Sequence, residues 1–400
     1  MLNNFVWKVK TKLIFGKDTV KNVGPEVASY GVKKVLVHYD GSDFIKPLIA
    51  KVKESLEASG LTVYELPGVE PNPKFSLVMK GIRLCREEGI EFVVAVGGGS
   101  TMDSAKVISV GTNYPGKDED IWDKVDVDVK HKALPHAAIT TLAATGSEFS
   151  GTAMVQNDLL EYPVKKGIGG PDICFDFVIA DPELLYTLPL KQTAAGSMDI
   201  ISHSMESYFG DSDNAYLQKG VLATVIRTTM KEARVARDDP QNYDARANLF
   251  LCSYVAMMGL HMPAFKTDWA VHNIEKPLTN IYHGTHGVNL GILTLAWLKY
   301  AWERNVPLYE QWAVECMGAT RDIYDPKKTV FEGIEKLENW IKSMGLPTRL
   351  SEIGIDDSRF EEAADLGLAV AGVPNGDHKV IGRCTKLTRE DVIKVYYLAL

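Results

Sequence analysis

Four residues in two short segments have the types and the spacing of a metal site: Asp199 and His203 in MDIISHSMESY, and His272 and His286 in DWAVHNIEKPLTNIYHGTHG. Asp199 and His203 are four positions apart in a stretch with helical periodicity, so both side chains project from one face of a helix, one turn apart. One carboxylate and three imidazoles suit Fe(II), Zn, Mn or Co, and they leave room for a substrate oxygen on the ion.

The second pair requires a turn in the chain. On one unbroken helix, His272 and His286 would be separated by about 21 Å, which is too far to share an ion. Pro277, Gly284 and Gly287 can break the helix, so we predict that His272 lies on a helix and His286 on a glycine-flanked loop that folds back. Spacing alone leaves open the alternative that these are ordinary core or surface histidines.

A second segment has the character of a phosphate-binding loop. The apolar run FVVAV leads into Gly97, Gly98, Gly99 and Ser100, and a helical pattern follows. Glycines let a ligand approach the backbone, and the N–H groups at the start of a helix can bind a pyrophosphate. A plain strand-to-helix turn remains the alternative, because the pattern is not GxGxxG. The acidic residue suited to an adenosine ribose, Asp40, precedes the glycines in the chain instead of following them.

A third segment, ITTLAATGSE, carries small hydroxyl side chains where a predicted strand ends. Thr140 and Thr141 end the strand, and Thr145 and Ser147 lie in the next turn. Such residues commonly line a ligand cleft at the carboxyl end of a strand, although they also serve as ordinary cap and turn residues.

The elements that must position these residues change character near the middle of the chain. Up to about residue 184, short β-branched runs alternate with amphipathic helical stretches, which predicts a parallel, twisted sheet in an α/β domain over 1–184. The predicted strands are 34–40, 62–67, 91–100, 137–143 and 177–182, and the predicted helices are 43–59, 75–89 and 101–112.

The second half contains long helical patterns and few strand signals. We therefore predict an all-helical domain over 185–400 that carries both metal-ligand pairs. Its predicted helices are 191–209, 214–236, 243–262, 265–276, 288–304, 328–344 and 388–400.

Composition narrows the class of partner. The chain has 400 residues, 46% hydrophobic content and a net charge of −8. An acidic chain without a basic cluster argues against nucleic acid or an anionic membrane, and a small soluble substrate fits better. The five cysteines include no CxxC pair, and the N-terminus has no apolar signal-peptide core. We therefore expect a cytoplasmic protein.

Taken together, GGGSTMDSAK, ITTLAATGSE, SMDIISHSMESY and the segment from His272 to His286 resemble the iron-containing alcohol dehydrogenase family, in particular its butanol dehydrogenase and aldehyde reductase branch. GVEPNP, KKGIGG, ADPELLYTLP and GLPTRLSEIGI occur in the expected order, so the resemblance spans nearly the whole chain. It implies a dinucleotide-binding α/β domain followed by an all-α metal-binding domain, with Asp199, His203, His272 and His286 as the metal ligands.

The resemblance also implies cofactors, a reaction and an assembly. The ion would be iron, with zinc as the alternative, and it would polarise an alcohol or aldehyde oxygen for hydride transfer with a nicotinamide. The family commonly forms dimers. Apart from the resemblance, Asp40 favours NAD, because a carboxylate repels the 2′-phosphate of NADP, whereas the small residues Gly41 and Ser42 after it leave NADP open. The cofactor-binding residues would be Asp40, Gly97, Gly98, Gly99, Ser100, Asp103, Thr140, Thr141, Thr145, Ser147 and Lys166.

One departure from the family pattern concerns catalysis. Most members have a further histidine one helical turn after the third ligand, and this chain has Lys276 there; His283 is a candidate substitute. Two alternatives stay open, and only the second follows from Lys276. One is a glycerol dehydrogenase-like or sugar-phosphate enzyme of the same superfamily, and the other is a catalytically weak nucleotide-binding protein.

Overall fold

The computed structural model describes residues 4–125, 132–161, 164–170, 173–211, 214–259 and 265–400. The chain divides into two compact units. One is Lys8–Thr187, and the other is Leu188–Leu400 together with the described residues that precede Lys8. The assignment of cofactor binding to the first half and catalysis to the second stays a prediction.

A parallel sheet organises the first unit, as the alternating pattern predicts. The strands of this unit are β1 (Lys12–Phe15), β2 (Lys34–His38), β3 (Thr62–Leu66), β4 (Phe92–Gly97), β5 (His136–Thr140), β6 (Thr152–Asn157), β7 (Val164–Gly169) and β8 (Phe177–Ala180). In the part of the chain that the structure describes, the sheet has six strands in the order β1-β8-β5-β4-β2-β3. The antiparallel pair of β6 and β7 stands apart from the sheet and is absent from the prediction.

Helices cover both faces of the sheet, which explains why its central strand is apolar throughout. Every residue of β4 is buried. Val93 and Ala95 belong to the core on one face, whereas Phe92, Val94 and Val96 belong to the core on the other. A parallel strand buried on both faces reads as a continuous hydrophobic run. The helices of this unit are α1 (Val23–Ala28), α2 (Lys46–Ala58), α3 (Phe75–Glu88), α4 (Gly99–Thr112) and α5 (Ile121–Lys124).

The strand order creates a switch point between β2 and β4. From β2 the chain moves to β3 on one side, and it then returns to place β4 on the other side of β2. Ligands of open α/β sheets bind outside the carboxyl ends of the strands at such a point. Asp40 follows β2 and Gly97 ends β4, so the two predicted cofactor segments flank it.

The second unit is helical, as predicted, with one short antiparallel pair in addition. Its helices are α6 (Leu190–Tyr208), α7 (Tyr216–Asp238), α8 (Tyr243–Met257), α9 (Ala270–Tyr282), α10 (His286–Ala301), α11 (Val306–Glu315), α12 (Pro326–Ser343), α13 (Phe360–Ala371) and α14 (Arg389–Ala399), and its strands are β9 (Val373–Asn375) and β10 (His378–Val380). The predicted stretch 243–262 runs into residues 260–264, which lie outside the described residues. None of the described helices is both long and apolar enough to cross a membrane.

The prediction for the turn between the two histidines was wrong in detail. Helix α9 continues through Pro277 to Tyr282, and His286 is the first residue of α10 instead of part of a loop. Proline removes only one N–H donor from a helix, and a buried helix tolerates that loss when packing is strong. The hydroxyl of Tyr396 donates a hydrogen bond of 2.7 Å to the carbonyl of Ile274 in the same turn. The chain reverses at His283, whose φ is 56°.

Candidate functional site

Helix α6 presents Asp199 and His203 to the interior of the helical unit. The stretch from Thr193 to Tyr208 is buried, which is unusual for a segment that contains charged side chains. The Nδ1 atom of His203 lies 3.5 Å from Oδ1 of Asp199, as expected for residues one helical turn apart.

Helices α9 and α10 bring two further imidazoles to Asp199. Nε2 of His272 and Nε2 of His286 each lie 3.7 Å from Oδ1 of Asp199. One potential ligand atom from each of these three residues lies within 4.8 Å of the others. The ring of His203 stacks on that of His272 with 4.6 Å between centroids. The structure therefore brings all four predicted ligands together, with three of them in the tightest group.

The electrostatics of the cluster fit a cation. Burial would raise the pKa of the Asp199 carboxyl, but His203, His272 and His286 hold it well below its usual range. Burial would likewise lower the pKa of His272, yet Asp199 and Glu206 raise that pKa to about 9. Oδ1 of Asp199 and Nε2 of His272 are buried without a hydrogen-bond partner among the described residues. Buried polar atoms normally form hydrogen bonds. Two neighbouring buried atoms that can both bind a metal and that lack such bonds therefore indicate a position for a metal ion.

Two buried glutamates contact the outer nitrogens of the histidines, and the sequence analysis did not identify either. Oε1 of Glu206 accepts hydrogen bonds from the backbone N–H of His272 at 2.9 Å and from its Nδ1 at 3.1 Å. Oε2 of Glu275 lies 2.6 Å from Nδ1 of His286. Each glutamate stands three positions after a predicted ligand in a helix, so helical spacing could have identified both.

Access to the cluster differs among its members. The side chain of His286 is 34% exposed, whereas those of Asp199 and His272 are 4% exposed. A small substrate can therefore approach the metal-ligand atoms from the side of His286.

Lys276 lies on α9, where its ammonium donates a hydrogen bond of 3.0 Å to Oδ1 of Asn273. His283 is exposed in the turn before α10. Their catalytic roles stay predictions.

The glycine segment forms a tight strand-to-helix turn. Gly98 caps α4, which begins at Gly99 and includes Ser100, and the amide of Thr141 donates a hydrogen bond of 3.1 Å to the carbonyl of Gly97. A side chain at position 99 would come within 2.6 Å of Cγ2 of Thr145. Glycine is therefore required for the close approach of these two turns.

A buried cluster of polar side chains connects α4 to the segment that contains Ser147. Oδ1 of Asp103 accepts a hydrogen bond of 2.7 Å from Ser147, and Oε1 of Glu148 accepts one of 2.6 Å from Thr140. The ammonium of Lys106 donates to the hydroxyl of Ser147 at 2.9 Å. Burial raises the pKa of Glu148 to about 7 and lowers the pKa of Lys106. Asp103, Thr140 and Ser147 thus form hydrogen bonds with other side chains of this unit. The sequence analysis did not identify Lys106 or Glu148.

The two remaining cofactor candidates lie at different places in the first unit. Asp40 is exposed just beyond β2, and its Oδ1 accepts hydrogen bonds from the amide of Ser42 at 2.9 Å and from its hydroxyl at 3.0 Å. Lys166 lies on β7, where its ammonium sits 4.8 Å from the centroid of the Trp122 ring. A role of either residue in cofactor binding stays a prediction.

Comparison with known proteins places nearly the whole chain in one family. The sequence model described as "Iron-containing alcohol dehydrogenase" matches residues 10–182, and that of the C-terminal part of the same family matches residues 193–400. NADH-dependent butanol dehydrogenase A of Clostridium acetobutylicum is 35% identical over 395 residues, with 98% of each chain covered. The NADPH-dependent aldehyde reductase YqhD of Escherichia coli is 30% identical over 361 residues, with 89% of this chain and 91% of that protein covered.

Solved structures give the same result for the fold. The crystal structure of NADH-dependent butanol dehydrogenase A from Thermotoga maritima has a TM-score of 0.91 and 33% sequence identity, and the match covers 99% of this chain and 98% of that one. Sequence and fold agree from the first strand to the last helix, and the chain belongs to the iron-containing alcohol dehydrogenase family.

Proposed function

We propose that this protein is a metal-dependent, NAD(P)-linked alcohol dehydrogenase that also works as an aldehyde reductase on small primary alcohols and aldehydes such as butanol and butanal. The observation that carries the proposal is that ligand atoms of Asp199, His272 and His286 lie within 4.8 Å of one another. Oδ1 of Asp199 and Nε2 of His272 are also buried without a hydrogen-bond partner among the described residues. The names of the relatives support the substrate class.

The chain's own residues would hold the ion, exclude water from it and leave a path for the substrate. Asp199, His272 and His286, with His203 as the fourth ligand, would hold one divalent ion, for which iron is the first candidate and zinc the second. When bound, the ion supplies positive charge to polarise a carbonyl or alcohol oxygen, and the nicotinamide supplies or accepts the hydride. Burial of Asp199 and His272 excludes water from the inner side of the donors, while the partly exposed His286 leaves a path for the substrate.

The nucleotide would bind at the switch point between β2 and β4. The turn from Gly97 to Ser100 offers close backbone approach and the N-terminus of α4, which suit a pyrophosphate. Asp40 flanks the same point, and a carboxylate there can accept a hydrogen bond from a ribose hydroxyl but repels a 2′-phosphate. This argument favours NAD.

The metal site is tested by replacing His272 or His286 with Ala. Removal of one ligand is expected to lower the bound metal to a small fraction of one equivalent and the turnover of butanal by at least about 100-fold, since outer contacts alone cannot hold the ion. Metal content by elemental analysis and butanal reduction with NADH and NADPH are the measurements.

His378→Ala is the matched control, because His378 is exposed on β10. It should keep full metal and activity. Full metal occupancy with unchanged turnover in the His272 and His286 variants would contradict the assignment. A wild-type protein that binds metal and nucleotide but turns over neither butanal nor butanol would instead favour the catalytically weak alternative raised by Lys276.

The cofactor preference is tested with Asp40→Gly. Loss of the carboxylate is expected to shift the NADPH-to-NADH ratio of kcat/KM toward NADPH by about fivefold, which corresponds to roughly 1 kcal/mol for an exposed charge. Asp43→Gly is the control, because Asp43 is an exposed acid three positions along. A wild type that strongly prefers NADPH, with the variant unchanged, would show that Asp40 does not face the ribose.

A further inference from the structure

Two buried glutamates connect the three helices that carry the candidate ligands. Glu206 lies on α6, three positions after His203, but its carboxylate contacts His272 on α9. Glu275 lies on α9, three positions after His272, but its carboxylate contacts His286 on α10. Each glutamate therefore follows one ligand in the chain and contacts a ligand on the next of these helices.

The contacts determine which nitrogen of each ring faces Asp199. An Nδ1–H group that donates to a carboxylate leaves Nε2 as the atom able to bind a metal. In both residues Nε2 is the atom that lies 3.7 Å from Oδ1 of Asp199. The same carboxylate oxygen of Glu206 accepts a hydrogen bond from the backbone N–H of His272, which also fixes the main chain at the first turn of α9.

The glutamates are themselves held in place. The carboxylate of Glu275 also contacts the hydroxyl of Thr279 and, at 3.4 Å, the side-chain amide of Asn289 on α10. The carbonyl of Glu206 accepts a hydrogen bond of 3.0 Å from the amide of Asp268. The side chains of both glutamates are at most 3% exposed, so solvent does not compete for these contacts.

We propose that Glu206 and Glu275 are positioning residues that hold His272 and His286 as Nδ1–H tautomers with Nε2 directed at a metal ion. The inference rests on the proposed metal site. It assigns to the glutamates an effect on metal affinity and coordination geometry, exerted through the histidines, and no contact with substrate.

The experiment measures Zn²⁺ affinity by competition with a chelator, and the visible absorption of the Co²⁺-substituted full-length protein. Glu206→Gln and Glu275→Gln keep an acceptor oxygen but remove the charge, and they should weaken Zn²⁺ binding by about 10-fold. Glu206→Ala and Glu275→Ala remove the acceptor and should weaken it by about 100-fold. The Co²⁺ bands should change in position or intensity, because the imidazoles are no longer held in one orientation.

Glu232→Gln and Glu232→Ala are the controls, since Glu232 is a buried helical glutamate of the same unit whose carboxylate lies 3.0 Å from Lys231. Both should retain wild-type affinity and the wild-type Co²⁺ spectrum. Where an Ala variant fails to fold by circular dichroism, the Gln variant decides.

The outcomes separate this inference from the proposed function. Zn²⁺ binding that depends on Asp199 but is unchanged in all four Glu206 and Glu275 variants would overturn the positioning role and leave the metal site intact. A wild type that does not bind one equivalent of Zn²⁺ or Co²⁺ would refute both.

Discussion

His38 shows how a single buried side chain links the sheet to the helix after the glycine turn. It is the last residue of β2, its Nδ1 lies 2.7 Å from the carbonyl of Leu66, and its Nε2 lies 2.8 Å from the hydroxyl of Ser104 on α4. Burial lowers its pKa to about 4, although the hydrogen bond to Leu66 opposes the shift. The neutral ring is therefore part of the folded state.

The low pKa predicts acid sensitivity. Since the folded pKa lies below the unfolded value of about 6.5, the stabilising contribution is present above pH 6.5 and is lost as the pH falls toward 4. Between pH 7 and pH 5 the free energy of unfolding should fall by about 2 kcal/mol from His38 alone. Urea denaturation of the wild type and of His38→Gln at both pH values measures this change in the free energy of unfolding. Equal pH dependence in the two proteins would exclude His38 as the source.

Residue types and spacing selected the four candidate ligands, because a metal restricts the chemistry of its donors strongly, but spacing alone did not separate them from ordinary core or surface histidines. The structure brings the four side chains together, and their role as metal ligands stays a prediction. The supporting side chains were harder to predict. Lys106 and Glu148 occur in segments where a lysine or glutamate normally faces solvent. Only the structure shows that both are buried, because Lys106 donates hydrogen bonds to Ser147 and to the carbonyls of Ser150 and Thr152, and Glu148 accepts one from Thr140. Sequence alone does not show which charged residues of an amphipathic pattern are enclosed by another element.

At the scale of the elements, the start of α10 packs directly on the backbone of α6. A Cβ atom at Gly287 would lie 2.1 Å from the carbonyl oxygen of Ala195, which stands one helical turn before Asp199. Gly287 also follows His286. The contact therefore sets the distance between two candidate ligands on different helices.

Gly287→Ala should accordingly force the two helices apart. We expect a loss of about 1–3 kcal/mol in the free energy of unfolding, together with weaker Zn²⁺ binding. Gly220→Ala on α7 is the matched control, because nothing lies within 4 Å of its added Cβ, and it should be neutral or stabilising by up to about 1 kcal/mol. Chemical denaturation and chelator competition are the measurements. Identical results for the two variants would refute the contact as a determinant of the site.

Strong periodicity made most elements predictable, and weak periodicity explains those that were missed. The central strands are continuous β-branched runs, and their ends agree with the structure to within three residues. Strands β6 and β7 carry polar residues and glycines, so they lack an apolar run. In α9, the position of Pro277 predicted an end to the helix, whereas packing of the unit keeps it helical.

At the scale of the whole molecule, the N-terminal segment exposes three consecutive large apolar side chains. Phe5, Val6 and Trp7 are 45%, 93% and 42% exposed, and β1, which begins at Lys12, is an edge strand of the sheet. Residues 4–11 form no strand. Exposed apolar side chains and the edge strand of a sheet are each typical of an interface between subunits.

We therefore expect at least a dimer at micromolar concentration. Val6→Glu should weaken the assembly, whereas Ile323→Glu, at a position 75% exposed elsewhere on the surface, should not. Sedimentation velocity measures both. A wild type that sediments only with the mass of one chain would exclude a stable dimer. The cytoplasmic location stays a prediction.

The division of the chain into two units has a consequence for evolution. The candidate metal ligands all lie in Leu188–Leu400, and the turn with Asp40 lies in Lys8–Thr187. On the proposed assignments, substitutions that change the preferred nucleotide would fall in a different compact unit from those that hold the ion. Selection could then change the preferred nucleotide and retain metal binding. The names of two relatives, one NADH-dependent and one NADPH-dependent, agree with this separation.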